Sequence, residues 1–298
     1  MSSKALTAKR IVIFCVIAFV PFWVIVPIMN AAYGGMIYES EAASGAVYAL
    51  GVFGMLTPAL ANLLTRLVTK EGFADSYLGL NFKGNAKYYA ASVWVKLAEV
   101  ALCCLLVWVI FGGGLGFSEA FPFDNMNTRA GAFLFQLSAA IIIFFPAFGE
   151  EWGWRGYLMP KLTKIMGRPA AVVAGGVIWG LWHAPLTISG HNFGTDYDLY
   201  PWLGILLMCV MCILMNAFLT LLTEKTGSVY PACFCHMVNN SFGADTFAVI
   251  TGSDAFADRV SGLSTVSIML KAYLPLLAVT GVISFVLLIK NKDTASFP

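Results

Sequence analysis

Residues 144–161 read FFPAFGEEWGWRGYLMPK. Two adjacent carboxylates, Glu150 and Glu151, and the guanidinium of Arg155 stand in a segment otherwise dominated by Phe, Trp, Leu and Met. Such a run reads as embedded in lipid, where an ionised side chain is costly unless it has a partner or a task. On a helix, residues four apart share a face, so Glu151 and Arg155 can pair. Glu150 is rotated about 100° away from them. One carboxylate is thereby braced, and the other is free to act. The plainer alternative is a purely structural charge cluster at a helix end.

The rest of the chain agrees with a membrane reading. Of 298 residues, 59% are hydrophobic and only 11% are charged, whereas a soluble domain is about a quarter charged. The class this implies is an all-α polytopic membrane protein. A net charge of +2, with no basic cluster interleaved with aromatics, excludes nucleic acid as a partner. The seven cysteines all fall in apolar runs and read as small hydrophobes, not as disulfides or metal ligands. Cys209 and Cys212 make a CxxC spacing but have no second pair.

A spanning helix needs about 20 mostly apolar residues. Eight segments qualify: Ile11–Met29, Ala43–Leu67, Tyr88–Phe111, Ala130–Phe148 with a long extension, Pro169–Ser189, Trp202–Leu222, Ser228–Ile250 and Tyr273–Ile289. Lys4–Arg10 followed by a 19-residue apolar run is too long for a cleaved signal and reads as a retained first helix. Placing both termini in the cytoplasm puts most of the 18 Lys and Arg residues on the inner side, as orientation by positive charge requires. Gly112–Gly116 reads as a turn. The chain is one integral membrane domain, 1–298, and 130–250 carries the polar groups that matter.

Two apolar segments carry one histidine each. His183 lies in VIWGLWHAPL, with Trp179 four residues earlier on the same face. His236 lies in CFCHMVNNSF, with Asn240 four residues later. Counting about 1.5 Å per residue from the inner helix ends puts Glu150, His183 and His236 roughly 16, 21 and 13 Å deep. All three are near the middle of a core about 30 Å thick, so the helices can meet around one polar cavity with a catalytic site at mid-membrane. His191 falls in the following loop and reads as solvated. Lys96 and Glu99, three apart, read as a self-neutralising pair.

A carboxylate and an imidazole can together deprotonate water, while a second imidazole and an amide donate to the oxyanion formed at an attacked carbonyl. The same Glu150, His183 and His236 could instead hold one zinc ion and its water, although HExxH is absent. Residue types alone leave metal-free and metal-assisted hydrolysis open.

The three motifs EEWGWR, WGLWH and HMVNN, in this order on successive apolar segments, resemble those of the CAAX protease and bacteriocin-processing family. These are intramembrane endopeptidases of the type II CAAX prenyl protease kind. The resemblance covers Ala130 to Ile250. It implies that Glu150 and His183 activate the water, that His236 and Asn240 form the oxyanion site, and that Glu151 and Arg155 support them. Trp179 stands where Phe is commoner. Within the family both a metalloprotease and a zinc-free glutamate mechanism are current, so the cofactor is one zinc ion or none. The implied partner is a peptide or protein substrate, lipidated or membrane-associated, met in the lipid bilayer. Short loops suggest a bacterial plasma membrane. The competing readings are a proton- or ion-coupled transporter, disfavoured by the lack of an internal repeat, and an immunity or scaffold protein on the same fold.

Overall fold

The structure is a computed structural model that describes residues 3–111, 126–251 and 262–290. The Gly112–Gly116 turn lies outside them. Among the described residues every regular element is helical. In chain order these are α1 (Ser3–Ala32), α2 (Ser44–Gly54), α3 (Thr57–Thr69), α4 (Ala86–Phe111) and α5 (Met126–Gly153). A π turn (Trp154–Leu158) leads into α6 (Met159–Met166), α7 (Arg168–Trp182), α8 (Ala184–Ile188), α9 (Trp202–Thr226) and α10 (Tyr230–Thr251). After α11 (Thr265–Ile268) and a second π turn (Met269–Tyr273), α12 (Leu274–Lys290) closes the described chain. The protein is an all-α polytopic membrane protein.

Among the described residues five helical stretches are long and apolar enough to cross a membrane: Lys4–Ala32, Glu41–Thr69, Ala86–Phe111, Trp202–Thr226 and Thr265–Lys290. They coincide with five of the eight expected spans. The other three expected spans are the motif-bearing ones, and they form α5, α7 with α8, and α10.

Two expected spans are broken, each next to a proline. Pro58 has no N–H for the carbonyl of Gly54, and the Thr57 hydroxyl donates to that carbonyl instead at 2.8 Å. Pro185 likewise cannot bond Leu181, and the chain turns at His183, whose N–H reaches back to Gly180 O at 3.1 Å. His183 therefore stands at the junction of α7 and α8.

Close helix contacts are made through glycine, as in membrane bundles generally. α9 runs along α7 and α12, α10 along α4 and α5, and α3 lies against α1 and α5. A Cβ on Gly153 would lie 2.3 Å from Pro58 Cβ, and one on Gly176 would lie 2.4 Å from Ile213 Cα. The second obstacle is backbone, which cannot step aside. Gly176→Leu is expected to destabilise the bundle by about 3 kcal/mol or more, above the usual range for overpacking because α9 must move as a body. Size-exclusion profiles after graded heating would show this, and a variant as heat-resistant as the parent would refute the contact.

Charged side chains gather at one end of the bundle. Arg66, almost fully buried, donates to Asn62 Oδ1 (2.7 Å), Gly72 O (2.7 Å) and Asp75 Oδ1 (2.6 Å). Glu71 pairs with Arg10 at 3.3 Å and Lys161 at 2.9 Å, and accepts from the Tyr157 hydroxyl. Burial alone would raise the Asp75 carboxyl, but Arg66 and Lys161 outweigh it and hold it below its ordinary value. Higher in the bundle, Lys96 and Glu99 form the local ion pair expected from their spacing, both buried.

Candidate functional site

α5 delivers the two carboxylates, and the π turn after them sets their surroundings. Pro160 cannot donate to the carbonyl four residues back, and the helix widens for one turn, with Met159 N–H returning to Trp154 O. π turns of this kind concentrate at functional sites. Asn62 of α3 donates to the carbonyl of Trp152 at 2.9 Å, which ties the widened turn to the buried Arg66 cluster.

The Glu151–Arg155 pair that the spacing predicts is present. Glu151 Oε1 accepts from Arg155 Nη1 at 2.8 Å, with both side chains completely buried. Glu150 points elsewhere. Its Oε2 accepts from two indoles, Trp179 Nε1 at 2.6 Å and Trp154 Nε1 at 3.2 Å. With both donors on Oε2, Oε1 is the oxygen through which Glu150 can meet a guest in the cavity it lines.

Other contacts differ from the sequence expectation. Trp179 was assigned to the imidazole of His183 by its face on the helix. Its carbonyl indeed meets His183 Nδ1 at 3.0 Å, but its indole N–H crosses to Glu150. The same indole carries the Arg155 guanidinium 4.1 Å above its ring, a favourable cation–π arrangement. Glu151 does more than brace Arg155: the same Oε1 lies 2.7 Å from His236 Nδ1. Among the described residues Arg155 Nε, Arg155 Nη2 and Glu151 Oε2 have no hydrogen-bond partner, so the single shared oxygen carries the connection.

Glu150, His183, His236 and Asn240 all line one cavity of about 680 Å³. Its remaining wall is largely apolar and includes Phe22, Met55, Val107, Leu186, Met208 and Leu277. Glu151 and Arg155 sit behind the wall.

The hydrogen bonds fix the character of each imidazole. A carbonyl can only accept, so His183 carries its proton on Nδ1 and presents Nε2 as an acceptor. His236 faces a carboxylate through Nδ1 and so is also protonated there. Its Nε2 donates only when the ring carries a second proton.

His191 is a correction. It is only partly exposed and lines the cavity. Its ring is parallel to that of His183, with centroids 6.4 Å apart and 5° between planes, and lies 4.8 Å from that of Tyr38. Cover by the loop pushes its imidazole down to about 4, so it adds no charge beside His183 near neutral pH. Two further polar residues border the cavity, Asn239, which the third motif contains but which was given no role, and Tyr273, which lies outside the motifs.

Glu150, His183 and His236 are the side chains that would hold the alternative zinc ion. Among the described residues no three His, Cys, Asp or Glu side chains are grouped so as to hold a metal ion. Trp179 borders both imidazoles, with centroids 6.0 Å from His183 and 5.6 Å from His236, and its N–H occupies one oxygen of Glu150.

Comparison with known proteins agrees with the motifs. Residues 132–242 match the family model described as type II CAAX prenyl endopeptidase Rce1-like. The chain is 29% identical over 119 residues to CAAX prenyl protease 2 of Methanococcus maripaludis, an alignment covering 38% of this chain. It spans 40% of the length of that relative. Through the segment that carries its three motifs, the chain is similar to the type II CAAX prenyl endopeptidases.

Proposed function

We propose that the protein is an intramembrane endopeptidase that hydrolyses a peptide bond with a water activated by Glu150 and His183. The observation that supports this best is the gathering of Glu150, His183, His236 and Asn240 around one largely apolar cavity inside the bundle. The water donates to Glu150 Oε1 and to His183 Nε2, and Glu150 takes its proton as the oxygen attacks the substrate carbonyl. Protonated His236, through Nε2, and Asn240, through Nδ2, donate to the resulting oxyanion. Glu150 then returns the proton to the leaving amine. Glu151 and Arg155 act behind them, holding His236 and neutralising the pair.

The apolar wall suits a peptide bearing an apolar or lipid substituent. The relative's name refers to prenyl proteins, and a prenylated peptide is the corresponding substrate to offer this chain, in the plasma membrane of a prokaryote.

The test is hydrolysis of an internally quenched peptide, farnesylated and unmodified, by purified protein in lipid nanodiscs. Wild type is expected to cleave at least one of them. Asn240→Ala is expected to lower kcat by about 10²–10³, the usual loss of one oxyanion donor. An Asn240→Ala enzyme as fast as wild type would remove Asn240 from the reaction. A wild type that cleaves neither peptide would count against the protease reading.

A further inference from the structure

The face of α10 that carries His236 also carries a short chain of hydrogen bonds leading out of the family-matched segment. The Tyr273 hydroxyl, on the second π turn, lies 2.9 Å from Asn239 Oδ1. Asn239 Nδ2 in turn donates to Asn240 Oδ1 at 3.1 Å. A primary amide has one acceptor end and one donor end, and its orientation follows from its network. A tyrosine hydroxyl donating to Asn239 fixes the carbonyl end of Asn239 towards Tyr273 and its NH₂ end towards Asn240. That in turn fixes the carbonyl end of Asn240 away from the reaction and leaves its NH₂ end forward. Asn240 Nδ2 faces the sulfur of Met55 at 4.0 Å, a weak acceptor that a stronger one replaces without loss.

We infer that Tyr273 and Asn239 are positioning residues that set the orientation of the Asn240 amide, so that it presents a donor, and not its carbonyl, to the oxyanion. Without them the amide can turn over, and a carbonyl oxygen facing a developing negative charge would oppose the reaction. The inference rests on the proposed protease reading for its kinetic consequence, but the orientation itself is a property of the protein alone. Asn239 is the residue of HMVNN to which the motif reading gives no role, and Tyr273 lies beyond the matched residues 132–242.

The experiment is a double-mutant cycle on peptide hydrolysis, read together with side-chain amide spectra. Tyr273→Phe removes the hydroxyl and keeps the ring. It is expected to lower kcat about tenfold with KM little changed. In the Asn240→Ala background the same substitution is expected to have no further effect, because residues that act through one another are non-additive. A second variant, Asn239→Ala, is expected to behave like Tyr273→Phe. Equal loss in both backgrounds means that Tyr273 acts independently of Asn240, and overturns the inference while the protease reading stands.

The second readout needs no activity. In asparagine-¹⁵N-labelled protein the Asn240 NH₂ resonances are identified by their loss in Asn240→Ala. They are expected to shift in Tyr273→Phe. Unmoved resonances overturn the inference whether or not the protein cleaves peptides. Moved resonances in a protein that cleaves nothing support the orientation and set aside the protease reading.

Discussion

Glu150→Gln is expected to lower kcat for peptide hydrolysis by a factor on the order of 10²–10⁴, the range of general-base contributions, while leaving the fold intact. Glutamine has nearly the shape of glutamate, and its carbonyl can still accept from Trp154 and Trp179, which now bond Glu150 Oε2 at 3.2 and 2.6 Å. What it cannot do is take a proton from water. The loss is therefore expected in kcat, with KM little changed, because substrate contacts along the cavity wall are untouched. Stopped-point hydrolysis assays with purified protein check this, together with a thermal profile showing that the variant unfolds where wild type does. A Glu150→Gln enzyme with full activity would move the base elsewhere in the cavity.

Arg155→Met is the substitution with the largest expected effect on stability. Arg155 is fully buried, donates to Glu151 Oε1 at 2.8 Å and lies over the Trp179 ring. Methionine fills much of the volume but leaves the Glu151 carboxylate buried with His236 as its remaining partner. Removing one partner of a buried pair costs about 3–5 kcal/mol. The heated variant should therefore lose its monodisperse peak well below the wild-type temperature. Arg155→Met combined with Glu151→Gln is expected to recover part of that loss, since the uncompensated charge is gone. The pair thus separates a cost of stranded charge from a cost of poor packing. A single variant as stable as wild type would show that the bridge is dispensable.

The sequence made the helical pattern legible because lipid permits little else: an apolar run of sufficient length must satisfy its own backbone. It also made Glu151 with Arg155 legible, since both partners lie on one helix at a fixed spacing. What it hid were contacts between helices. The indole of Trp179 belongs by spacing to His183, yet donates to Glu150 on another helix. Glu151 reaches His236, 85 residues away in the chain. By sequence His191 reads as a solvated loop residue because a loop on average is exposed, whereas its ring lines the cavity beside that of His183. The breaks at Pro58 and Pro185 were visible as residues but not as breaks, because hydropathy averages over them.

The cavity wall carries a consequence for inheritance. Its carboxylate, imidazole and amide groups come from the matched segment 132–242, whereas Phe22, Met55, Val100, Val107 and Leu277 come from flanking helices outside it. Part of the apolar wall is thus encoded outside the stretch that carries these polar groups. The flanks can drift, changing the guest the cavity admits, without touching the proton-handling groups. Relatives that agree over the motif-bearing third are free to differ in diet, and chimeras exchanging only the outer helices are the means of transferring a preference from one to another.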